Sequence, residues 1–139
     1  MNGFTKYSFF AFLMYVTDLH AKGATTNPLE TELIKTLESY NKKMPIAIDK
    51  VTRAESATVG PGLVVTYSFT ILNAVSTSID GNIKANIAKK LKPILVTKLC
   101  ITEESMRLLN QGVILRYVYH LSDGGFLTQF DIKATDCVS

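Results

Sequence analysis

Residues 113–133 constrain the fold more than any other stretch. Two runs, 113–121 and 126–133, alternate apolar and polar side chains around Ser122-Asp123-Gly124-Gly125. Period-two alternation puts successive side chains on opposite faces, so each run reads as a strand. Asp123-Gly124 between them predicts a two-residue hairpin turn, because both central positions of a type I′ turn need positive φ. With that loop Leu121 faces Phe126, Tyr119 faces Thr128, Tyr117 faces Phe130 and Leu115 faces Ile132, on one largely apolar face. The other face pairs His120 with Leu127, Val118 with Gln129 and Arg116 with Asp131. The opposite charges meeting across the strands support this register independently, and a one-residue slip would carry charge in among the aromatics. A lone hairpin is marginal in water, so this one must pack against further structure.

The rest of the chain supplies it. Asn27-Pro28-Leu29-Glu30 opens a helix: Asn27 can cap, Pro28 suits the first helical position and Glu30 sits where a capping box places an acid. Leu29, Leu33, Leu37 and Tyr40 recur at helical spacing and give it one core-facing stripe, and Lys42 and Lys43 follow its C-terminal end. Residues 44–53 alternate and predict an extended segment, confined by Pro45 to a sheet edge. Residues 54–58 are small and polar, and Gly60-Pro61-Gly62 marks a turn. From 63 to 72, Leu63, Val65, Tyr67, Phe69 and Ile71 alternate with Val64, Thr66, Ser68 and Thr70, the pattern of a half-buried antiparallel strand. Residues 82–99 predict a helix with Ile83, Ile87, Leu91, Ile94 and Leu95 on its apolar side and Pro93 kinking or dividing it. A short helix starts at Thr102-Glu103-Glu104, buries Met106 and Leu109, and ends at Gly112. The expected architecture is α+β: a four-stranded antiparallel sheet made of two hairpin-like pairs, with amphipathic helices on one face.

At the N-terminus, residues 1–6 carry one positive charge, residues 7–16 are apolar, and Ala21-Lys22-Gly23 places small residues before a cleavage point. This is the pattern of a secretory signal peptide over residues 1–23, leaving residues 24–139 as one domain. The apolar run is too short to span a bilayer, and Asp18 and His20 interrupt it, so no stable transmembrane anchor is expected after cleavage. The competing reading is a buried N-terminal helix. The chain has 139 residues, 47% of them hydrophobic and 19% charged, which points to a globular chain, not a disordered one. A net charge of +3 makes no case for nucleic acid.

Export bears on the cysteines. Cys100 and Cys137 are the only two, and an exported chain with an even count is normally oxidised. A Cys100–Cys137 bridge would tie the lysine-bearing helix to the end of the last strand and stabilise the fold by about 3–4 kcal/mol. A reactive or metal-binding thiol lacks the CxxC spacing and a neighbouring histidine. No other metal site is expected, since His120 is the one histidine left after cleavage. No GxSxG elbow surrounds a serine, and Glu103 and Glu104 diverge on a helix by about 100°, so neither nucleophilic nor paired-carboxylate catalysis is expected, and no cofactor. Gly60-Pro61-Gly62 lacks the GxxxxGK[ST] pattern of a phosphate cradle. Lys84, Lys89, Lys90 and Lys92 read as a solvated helix face. The candidate partner-binding residues are Asp49, Lys50 and Arg53, on the edge that Pro45 marks, where another chain could add a strand; the competing reading is an edge shielded by its own charges.

The run Met44-Pro45-Ile46-Ala47-Ile48-Asp49-Lys50-Val51-Thr52-Arg53, then Gly60-Pro61-Gly62 and Tyr67, resembles small exported bacterial proteins of uncharacterised function, as do Cys100, Gly112-Val113, Tyr117-Val118-Tyr119 and Asp136-Cys137. The resemblance implies bacterial export and no activity. The helix and antiparallel-sheet order is also similar to cystatin-like folds, by fold analogy only. Gly3-Phe4-Thr5 resembles a type IV prepilin cleavage site, but Ser8 stands where the pilin acid belongs. The leading expectation is therefore a non-enzymatic periplasmic or secreted module that binds a protein or cell-envelope partner; the alternatives are a small hydrolase whose site only the fold assembles, and a pilin-like filament subunit.

Overall fold

The computed structural model describes residues 28–137, so the expected signal peptide and the prepilin-like site lie outside the described residues. Helix α1 spans Pro28–Asn41 and is followed by strands β1 (Ile46–Ala47), β2 (Thr52–Val59) and β3 (Val64–Ile71). Helices α2 (Gly81–Cys100) and α3 (Glu103–Asn110) lead into β4 (Ile114–Leu121) and β5 (Phe126–Ile132), and a 3₁₀ turn, Ala134–Cys137, closes the chain. The α+β class holds, but the sheet has five strands in the order β1-β2-β3-β4-β5 and is mixed. Its central pair, β3 and β4, is parallel, with Tyr67 beside Tyr117 and Phe69 beside Tyr119. The cause is the connection: α2 and α3 carry the chain back across the sheet, and such a crossover delivers the next strand parallel.

The fifth strand comes from residues 44–59. Instead of one extended segment over 44–53, the chain makes two residues of β1, turns at 48–51, and returns as β2, pairing Ile46 with Ala54 and Ala47 with Arg53. Asp49 drives the turn by accepting the Val51 N–H on Oδ1 at 2.9 Å. Residues 54–58, small and polar, are thus part of β2. Ala54 and Ala57 are buried under α1, where small side chains let helix and strand approach.

The β4–β5 register agrees with expectation from Leu115–Ile132 to Tyr119–Thr128, Arg116–Asp131 included. The turn does not. Asp123 has a negative φ, and Gly124 alone takes the left-handed conformation, at φ +90°. Leu121 accepts from Gly124 N–H and donates to Gly125 O, a three-residue loop with a bulge, not a type I′ turn. Asp123 is engaged elsewhere: its carboxylate accepts the N–H groups of Ser76 and Gly125. The bulge pairs His120 with Phe126 and turns Leu127 inward, leaving Phe126 52% exposed.

Among the described residues, the three α-helices pack on one face of the sheet, as expected. Val65, Tyr67, Phe69, Leu115, Tyr117, Tyr119, Phe130 and Ile132 are buried on it beneath Leu33 and Leu37 of α1 and Leu95 and Leu99 of α2. Ring centroids 5.2 Å apart for Tyr67–Tyr117 and 5.0 Å for Phe69–Tyr119 continue the stack across the parallel pair. Two helix expectations are narrowed. Pro93 lies inside α2 without dividing it, at an exposed position where the lost N–H bond costs least. Of the expected apolar side of α2, Leu95 is buried with Leu99, Ile87 and Leu91 pack partly buried against the core, and Ile83 and Ile94 face solvent. In α3, Ser105, Leu108 and Leu109 are buried and Met106 is half-buried.

Candidate functional site

Both edges of the sheet meet solvent, and they differ. At one, β1 covers only Arg53 and Ala54 of β2. Further along β2, Asn41 at the end of α1 replaces a strand: its side-chain amide donates to Ala57 O and its Oδ1 accepts the Ala57 N–H at 2.9 Å. One carboxamide thus occupies both main-chain groups of a fully buried residue. Among the candidate partner residues, Asp49 and Lys50 lie in the β1–β2 turn, while Arg53 lies in β2 and pairs with Glu55 at 2.7 Å. Glu55 feels burial that raises its pKa, but the Thr70 hydroxyl and Arg53 outweigh it and the net direction is down. The three are neighbours in sequence on the exposed rim, with two of them committed to local contacts.

The other edge is β5. The Leu121 N–H points to β5 and the Ile114 N–H to β3, where Leu63 O accepts it. Alternation along β4 then directs the main chains of Thr128, Phe130 and Ile132 toward β4, and those of Gln129, Asp131 and Lys133 outward. At Lys133 the outward groups are closed: Asp136 Oδ2 accepts the Lys133 N–H at 2.8 Å, and the Asp136 N–H reaches Lys133 O. Asp136 Oδ1 also pairs with Lys92 of α2 at 3.3 Å, and the disulfide Cys100–Cys137, with Cα atoms 5.4 Å apart, fixes the turn to the end of α2. Among the described residues, Gln129 and Asp131 are left as open rungs. Beside them is an open cleft of about 410 Å³ lined by Lys92, Phe130, Lys133, Thr135 and Asp136 with both rungs.

The charges around the cleft are arranged. Arg116 donates to both carboxylate oxygens of Asp131, at 2.8 and 3.1 Å. That hydrogen bonding, opposed by partial burial and helped by the charges of Arg116, Lys133 and Lys92, holds the Asp131 carboxyl below the usual carboxylate range. Lys133 has no carboxylate within ion-pair distance among the described residues. His120 stands on the helix-free face, edge-on to Phe126 at 6.1 Å. The described residues hold no group of three or more His, Cys, Asp or Glu arranged to take a metal ion, and none of their helices is long and apolar enough to cross a membrane. Sequence reasoning singled out the cysteines but missed Asn41, Gln129 and Asp136. An Asp three residues after Lys133 is a weak turn signal, and nothing local says that Asn41 meets a strand.

No family model matches the chain, and no curated protein matches it. Solved structures do match. A Pseudomonas aeruginosa protein described as secreted superposes with a TM-score of 0.59 at 21% identity, over 83% of this chain and 99% of its own. The type 2 secretion system pilotin EpsS of Vibrio vulnificus gives 0.61 at 14%, over 79% of this chain and 92% of its own. The type II secretion system pilotin AspS of Vibrio cholerae gives 0.50 at 12%, over 75% and 87%. The fold is therefore shared with a protein described as secreted and with two secretion-system pilotins.

Proposed function

We propose that the chain is a non-enzymatic module, exported from a bacterial cell after cleavage at residue 23, that binds a protein of the cell envelope and serves a secretion apparatus. The observation that carries this is the fold, which two pilotins and a protein described as secreted share over most of the chain. Two features of the molecule support it. The disulfide suits an oxidising compartment, and an open cleft of about 410 Å³ lies along the β5 edge of the sheet, a shape that receives chain segments. Asp49, Lys50 and Arg53 remain a second candidate surface, but β1 offers a partner only two residues of edge.

The test is reciprocal capture. Oxidised protein, immobilised through an added C-terminal tag, is expected to retain one envelope protein saturably, and that protein, immobilised in turn, to retain this one. Failure to retain any envelope protein, together with turnover of ester, peptide or glycoside substrates, would overturn the reading in favour of a hydrolase.

A further inference from the structure

We propose that the outer edge of β5 is the docking strand, and that it takes a short extended segment of the partner carrying an acidic side chain. This rests on the binding reading above and specifies where and how binding occurs. Gln129 and Asp131 turn their N–H and C=O groups outward, an unfilled ladder of the kind that strand addition completes. The opposite edge is not equivalent, because Asn41 already fills the rung at Ala57.

The length of the occupant follows from the ends of the slot. At one end the β5 bulge and the exposed Phe126 break the ladder. At the other, Asp136 closes both outward groups of Lys133. Between them about three to five residues of extended chain fit, at roughly 3.4 Å per residue.

Its chemistry follows from charge and shape. Arg116, Lys92 and Lys133 surround the slot against Asp131 and Asp136. Among the described residues, two ion pairs consume both acids and leave Lys133 as the surplus cation. A second copy of this chain is a poor occupant. Pairing two β5 strands about Phe130 would press each 3₁₀ turn into the other's 122–125 loop. The geometry therefore points to a foreign extended segment.

The probe is a blocked pentapeptide, TVEVT, titrated into the oxidised, isotope-labelled protein beside its TVKVT counterpart. The Gln129 and Asp131 amide resonances are expected to shift and to exchange with solvent about tenfold more slowly, with Ala57 unaffected. TVEVT is expected to bind several-fold more tightly than TVKVT. Gln129→Pro removes one outward donor and no β4–β5 bond, at a position where an edge strand tolerates proline; it is expected to weaken TVEVT about tenfold or more. Lys133→Glu, at an exposed position just outside β5, is expected to reverse the peptide preference. No shift at Gln129 and Asp131 with about 5 mM peptide, a weak-binding regime, would overturn the proposal, as would equal binding by Q129P or a preference unchanged in K133E. The two readings fail separately. An envelope protein captured equally by wild type and K133E removes the docking edge and leaves the binding function. Peptide shifts without any captured protein do the reverse.

Discussion

Asn41 shows how much one side chain can decide. It supplies both partners of the Ala57 peptide, and Ala57 is completely buried. Removing the amide strands a buried donor and acceptor, which costs about 1–3 kcal/mol. Asn41→Ala is therefore expected to lower the unfolding free energy by that amount, with Ala57 the amide whose exchange accelerates most; an unchanged unfolding free energy would show that water replaces the side chain. Ser105 is the opposite case. Its hydroxyl is buried in α3 with no hydrogen-bond partner among the described residues. Ser105→Ala removes an unmet polar group and favours the helix interior, so a stabilisation of about 1 kcal/mol is expected by chemical denaturation.

Among the elements, β4 and β5 carry a consequence for acid stability. The Asp131 carboxyl is held low first by hydrogen bonding to Arg116, so its ionised form is favoured by the fold. The stabilisation is complete above the ordinary carboxyl pKa of about 4 and is lost as pH falls through the lower folded value. Because both side chains are partly exposed, the effect is at most about 1 kcal/mol. Asp131→Asn should flatten the acid limb of the stability profile by that amount; identical limbs would mean the pair contributes nothing. The β4–β5 register was legible in the sequence because alternation and the crossed charges agree. The turn was not, since Asp123 is drawn to Ser76, a contact 47 positions away that no local rule contains. Similarly, residues 54–58, small and polar with no clear alternation, are strand in a structure that packs Ala54 and Ala57 under α1. The parallel pairing of β3 and β4 follows from where the crossover lands, which spacing alone leaves open. For the candidate site the balance is poorer. The cysteines stand out by count, whereas the open rungs at Gln129 and Asp131 exist only through register and the placement of Asp136.

Taken whole, the molecule is a one-sided sheet whose helical cover is fastened at its far end. Cys100 and Cys137 lie 37 positions apart, and closing such a loop stabilises a fold by about 3–4 kcal/mol in the chain-entropy model. Replacing both by Ala is expected to lower stability by that amount and to speed exchange in the 3₁₀ turn and β5 before β2. A loss spread evenly over the sheet would contradict a local clasp. The most direct single measurement is the intact mass of the chain recovered from its native cell. The expected species lies outside the cytoplasm, begins at Ala24, and is two hydrogens lighter than its reduced form. A cytoplasmic chain that keeps Met1 and carries two free thiols would contradict the account at its root.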